Sequence, residues 1–503
     1  AYEFGFATER DYKEAHTFYQ DTIKTLKSYK DLDSKQALDR DVLVSYFESQ
    51  LDNVKFYDYE AGSVLGYNRQ MVANVPTYLE VYEFRTEADV DRYFNFIETL
   101  PEFYEKILEL ELNRQKNNTG LGQEVIEETI KMAESFVESA SQDDYFLIRL
   151  FNEKMDEATF NGESYKSVHQ RLIKTQFVDS YKLLADGLGQ ISAKKTAGLY
   201  YLKDGRKYYN HLLKKNTGLN MNVKEIKTLL MNQLDLSISK IVNFSEEEIN
   251  QLYDDNFYPH FLSGLDLLTS LFNDIKDDFP VIEPVNYRLQ TVDPSMAESA
   301  SPAYYFTPAL DYDGTTPQHI FINGTHDSKL YTTYAHEGFP GHMYQFNFNL
   351  NLDIHPIRNL ISSAANSEGW ANYTENYAIK YITNERFMEL YTINQEITQI
   401  ITVLIDIGIH DEGWLLEDMV DYLKQINMVN PNSNSEDFKD MYIYIASNPA
   451  VYPMYYVSSL RIKMLKEKAM EKWEDYSDMK FHQAFLEIGS ARFDVIEAYL
   501  DLD

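Results

Sequence analysis

Apolar residues recur three and four positions apart along most of the first 285 residues. RDYKEAHTFYQDTIKTLKSY (10–29) and DRYFNFIETLPEFYEKILELELNRQ (91–115) both show this period, which buries one face of a helix. The spacing predicts helix after helix from residue 8 to about 285, and the scarcity of proline there suits long elements. A further helix is expected over GQEVIEETIKMAESFVES, after the loop-like NNTGLG. No fixed-period repeat stands out, which argues against a solenoid. Near residue 278 the texture changes to proline, small residues and short β-prone runs. YYF (304–306) and HIFIN (319–323) are the best strand candidates there. Helical periodicity resumes at about residue 328. The expectation is a mainly α fold in two lobes: an N-terminal helical lobe over 1–285 and a C-terminal lobe over 286–503 carrying a small β-sheet.

Composition sharpens this picture. A chain of 503 residues is too long for one ordinary core, so two lobes or more are expected. Lysine and arginine total 46 against 80 acidic residues, a formal net charge of −34. That field repels nucleic acid and anionic lipid surfaces, so no nucleic-acid partner is expected. The 40 tyrosines suit large clefts, because a phenol packs and hydrogen-bonds at once. There is no cysteine, which removes disulfides, thiolate ligands and cysteine nucleophiles together. No stretch of about 18 apolar residues is present to span a membrane. The chain opens at Ala1 without methionine, and the expectation is that a leader or an N-terminal lipid anchor has been removed. Oligomeric state leaves no trace in the sequence.

Seven of the eleven histidines lie between 319 and 482, so chemistry is expected in the second half. YAHEGFPGHMYQ (334–345) reads as a stretched form of H-E-x-x-H, with His336 and His342 six apart. On an unbroken helix positions six apart differ by about 120°, too far to converge, whereas positions four apart differ by only about 40°. Pro340 has no amide hydrogen and Gly341 admits unusual dihedrals. If the two extra residues are absorbed as a bulge, the histidines regain the facing that lets both reach one zinc. Otherwise the segment is a turn that holds two histidines. A third ligand is offered 26 residues on, in NSEGWANYTENYA, by Glu368. Glu375 shares its helix face two turns later, and either orients a histidine ring or stands as an ordinary helix charge. Three protein ligands leave one position for water, and Glu337 beside His336 is placed to take that water's proton.

HEGFPGHMYQ followed by SEGWANYTE resembles the bacterial family called domain of unknown function 885. Its members include lipoproteins and secreted proteins of metallopeptidase-like character. YYFTPALDYDGTTPQHIFIN, DIGIHDEGW and FHQAFLEIGSARFDVIE are similar to segments of the same family, so the likeness covers at least residues 300–500. The order of elements is more distantly similar to the thimet oligopeptidase and carboxypeptidase Taq families, which implies a helical zinc-peptidase fold. Carried onto this sequence, the resemblance implies His336, His342 and Glu368 as zinc ligands and Glu337 as general base. It adds His410 as a donor to oxyanion or substrate, with a helix histidine satisfied by Asp406 as the other reading. YPMYYVSSLR (452–461) resembles a segment with a cleft-facing tyrosine, best matched by Tyr455. Ser458 departs from a common glycine there, and Met343 replaces a histidine common in the family.

The leading expectation is a one-zinc metallopeptidase cleaving short peptides in a cleft between helical lobes. The alternatives are a non-catalytic, metal-containing surface protein and a metal-dependent hydrolase of another amide or ester. An extracytoplasmic location is expected, with the cytoplasm as the alternative.

Overall fold

Helix starts are fixed locally by capping. Thr8, Asn222 and Ser245 each accept the backbone N–H three residues on, and the acid at that position returns a bond to the cap's own N–H. The computed structural model describes residues 7–60, 70–194, 198–254, 257–297, 300–308, 312, 314 and 316–502. Among them helices dominate and one three-stranded sheet is present. The helices expected over 10–29 and 122–139 are found at Glu9–Ser28 and Gln123–Ala140. The run at 91–115 is instead two helices, Glu87–Glu98 and Leu100–Asn117. Pro101 explains the break, since a proline is accommodated in a first helical turn but not mid-helix.

The sheet comprises β1 (Tyr287–Thr291), β2 (Ala303–Phe306) and β3 (Gln318–Ile322) in the order β1-β3-β2. β1 runs parallel to β3, and β2 antiparallel to it. β2 and β3 coincide with the strands read from the sequence. β1 was not anticipated, because only Tyr287 and Leu289 are apolar in its five residues.

β3 is a wall between two hydrophobic cores. Ile320 and Ile322 point into one and Phe321 into the other, as the two-residue period of a strand requires. The Phe321 core gathers residues from Val72 to Ile191 together with Val292 and Met296. The Ile320 core joins Leu199–Ile282 to the helices that follow residue 331. Side-chain packing thus crosses residue 285, the expected lobe boundary: the Val223–Ile241 helix packs against the later Glu385–Ile407 helix. No helix among the described residues is long and apolar enough to cross a membrane.

Candidate metal centre

HEGFPGH is not one helix with a bulge but two short helices, Tyr331–Glu337 and His342–Leu350. Their backbones remain coupled. Gly341 N–H donates to the Ala335 carbonyl (2.9 Å), and Tyr344 N–H to the Gly338 carbonyl (3.0 Å). Each bond spans six residues, and removing the looped-out Phe339 and Pro340 leaves the four of an α-helix. The insertion is therefore absorbed without turning His342 away from His336. Gly341 is required for this: a Cβ there would lie 1.8 Å from the His336 carbonyl oxygen.

The third helix, Ala364–Ala378, is tied to this loop. Fully buried Trp370 donates its indole N–H to the Pro340 carbonyl (2.9 Å), and Gln345 bonds Asn366 (3.0 Å). As a result His336 Nε2 lies 3.7 Å and His342 Nε2 3.4 Å from the same oxygen, Glu368 Oε2. The two imidazoles stand at 86° with centroids 4.8 Å apart.

What holds the far ring nitrogens decides which atoms face inward. His336 Nδ1 lies 2.9 Å from Glu375 Oε2, whose other oxygen accepts from Asn372 (2.8 Å). His342 Nδ1 pairs with Ser367 Oγ (3.2 Å), a partner not anticipated from sequence. Each Nδ1 is so engaged, which leaves each Nε2 turned toward Glu368. Glu368 Oε2 is buried and has no hydrogen-bond partner among the described residues. Tetrahedral ligation at about 2.0–2.1 Å separates donor atoms by about 3.4 Å, so two imidazole nitrogens and this orphaned oxygen suit zinc. Burial opposes charge on Glu368, yet His342 and His336 hold its carboxyl well below the usual range. Burial likewise opposes charge on His336, but Glu368 and Glu375 raise it well above an ordinary imidazole.

Glu337 stays outside the candidate ligand set. It is 8% exposed, and Oε2 accepts the Tyr305 N–H of β2 (2.7 Å). Burial raises its pKa, against the pull of His336 and His342. Tyr455, on the Val451–Lys472 helix, brings its ring to 6.1 Å from that of His336. That approach depends on small residues: a Cβ on Gly369 would meet Ser458 Cβ at 2.6 Å, so the two helices touch backbone to backbone here. Burial, then Glu368 and Glu337, push the Tyr455 hydroxyl well above its ordinary pKa.

His410 is a correction. It sits fully buried in a π-helical turn, Gly408–Glu412, outside the cluster formed by His336, His342 and Glu368. Its Nδ1 accepts the Leu199 N–H and its Nε2 meets the Ile445 carbonyl, both at 3.2 Å. No ring nitrogen is left for an oxyanion. Asp406 does not satisfy it either, since that carboxyl accepts from the Tyr209 hydroxyl and the Ala450 N–H.

Residues 4–500 match the family described as "Bacterial protein of unknown function (DUF885)". The chain belongs to the DUF885 family. Two solved structures share its fold. A putative lipoprotein from Colwellia psychrerythraea superposes with a TM-score of 0.81 at 17% identity, covering 99% of this chain and 92% of that one. A putative lipoprotein of unknown function from Shewanella oneidensis does so at 0.63 and 16%, covering 99% and 94%. No curated protein matches this DUF885 chain.

Proposed function

We propose that this chain is a zinc-dependent hydrolase that cleaves short peptides. One observation carries the reading: a nitrogen from His336, a nitrogen from His342 and an oxygen from Glu368 lie within 4.8 Å of one another. Three protein donors leave an open position, as catalytic zinc sites do, whereas structural sites close with four. Bound there, zinc would supply Lewis acidity, with a polarised carbonyl and a water whose pKa falls to about 7. Glu337, buried beside the triad, takes the proton of the attacking water and passes it to the leaving amine. Glu375 and Ser367 keep the two rings in the tautomer that ligates. Tyr455, which retains its proton, donates to the oxyanion as the carbonyl becomes tetrahedral.

The sheet favours peptides over other amides and esters. β2 lies at an edge, and the side of Tyr305 that faces Glu337 is the side away from β3. An extended peptide can pair with such an edge beside the base. The lipoprotein descriptions of the two structural relatives support a location outside the cytoplasm, secreted or lipid-anchored. The test is hydrolysis of a peptide library by the full chain with and without chelator. Chelator-sensitive cleavage is expected; zinc bound without hydrolysis of any substrate overturns the enzymatic reading.

A further inference from the structure

The helix that carries Glu368 and Glu375 has a second working face. Tyr373, Asn376 and Tyr377 from its other side, and Lys380 from the Ile379–Tyr381 turn that follows, project into a pocket of about 650 Å³, closed by the Glu385–Ile407 and Val451–Lys472 helices and the start of Asp478–Glu487. The volume is in the range of small-molecule sites. Three lysines line it, 380, 463 and 466, in a chain where acids outnumber bases 80 to 46.

Counting donors and acceptors shows what this pocket lacks. Asp478 accepts from the Tyr377 hydroxyl (2.5 Å), the Tyr476 hydroxyl (2.5 Å) and Lys466 (3.0 Å). Glu396 accepts from Lys463, Ser237 (2.9 Å) and Gln233 (3.2 Å). Both inner carboxylates are thus well supplied. An ammonium has three donors: Lys463 and Lys466 each use one, on Glu396 and Asp478, whereas Lys380 uses two, on Asp278 and the Tyr377 hydroxyl. The Lys380 and Lys466 ammoniums also flank the Tyr377 ring, each 4.6 Å from its centroid. The unused hydrogen-bonding capacity inside is therefore donor capacity, which calls for an anionic acceptor. The remaining lining carboxylates, Glu385 and Glu467, are exposed. They complement an ammonium at the mouth.

We propose that this pocket binds a small zwitterion with apolar side chains, a short peptide whose carboxylate meets Lys463 and Lys466 and whose amino group meets Glu385 and Glu467. The site lies behind the metal centre and is linked to it. Asn376, on its wall, bonds the Asn372 carbonyl (2.8 Å), and the Asn372 side chain holds Glu375, the partner of His336. A hydrogen-bonded path thus runs from the pocket wall to the His336 ring. The binding claim stands whether or not the protein hydrolyses anything.

Calorimetry on the full chain tests it, in a Glu368→Ala background so that neither turnover nor the triad contributes. The probes are leucyl-glycyl-leucine and its C-terminal amide. The free acid is expected to bind at least about ten-fold more tightly than the amide, as loss of a charge-assisted bond implies. Lys463→Met, which leaves Glu396 with Ser237 and Gln233, should erase that preference, and Lys466→Met, which leaves Asp478 with Tyr377 and Tyr476, should weaken the acid several-fold. Equal affinity for acid and amide, no binding of the acid, or a preference untouched by both lysine variants overturns the proposal.

Discussion

His336 and His410 are both enclosed histidines on helical turns, and both stand in motifs that drew attention in the sequence. His336 keeps 12% of its side chain exposed and pairs one nitrogen with a carboxylate, leaving the other aimed at Glu368. His410 is fully buried, and both nitrogens are taken by backbone groups of Leu199 and Ile445. Burial pushes His410 down to about 4, so it stays neutral at physiological pH. Ring burial alone therefore says little about chemistry. What matters is whether the second nitrogen still needs a partner.

The comparison breaks most sharply at Glu337. Glu337→Gln should keep zinc and lose about 10²–10⁴-fold in hydrolysis, because its proposed role is proton transfer and not ligation. Full activity in that variant rejects it as the base. At the other pole, His410→Leu should leave metal content unchanged and cost about 2–4 kcal/mol of stability, from a buried N–H and carbonyl left unpaired. Loss of zinc from a folded His410→Leu protein would show that the two regions are not separate. Glu375→Gln should weaken zinc affinity by about 10–100-fold without abolishing it, as removal of a ligand's orienting partner does. Unchanged affinity would reduce Glu375 to an ordinary helix charge.

The smallest effect is a pH dependence beside His410. Burial raises the Asp406 carboxyl to about 8, against hydrogen bonds from Tyr209 and Ala450. Tyr452 also feels its charge. A folded-state value above the unfolded one stabilises the fold below about pH 4, and that contribution is lost as pH rises to about 8. Asp406→Asn cannot titrate. Its melting temperature should match the parent's near pH 4 and exceed it increasingly up to pH 8. A constant difference between the two would show that Asp406 does not carry a proton in the fold.

How much of this was legible follows from how local each signal is. The three expected ligands and the base come from spacing within two segments, and the compensated insertion follows from what Pro340 and Gly341 forbid and allow. The helices over 9–28 and 123–140 and the strands β2 and β3 were legible for the same reason. Ser367 and the Tyr305 N–H were not, because which hydroxyl or strand edge meets a side chain is set by tertiary packing. His410 misled because its motif is local while its partners lie 211 and 35 residues away. Packing across residue 285 was equally hidden, since periodicity reports that a helix face is buried but not what covers it.

His336, His342 and Glu368 together are expected to hold one zinc ion. Titration of the metal-free chain with zinc against a competing chromophoric chelator tests it most directly. One zinc per chain is predicted for the parent, with high-affinity binding lost in each of His336→Ala, His342→Ala and Glu368→Ala while their helical circular dichroism persists. No binding by the parent, or an unaltered stoichiometry and affinity in any one of the three, would contradict it.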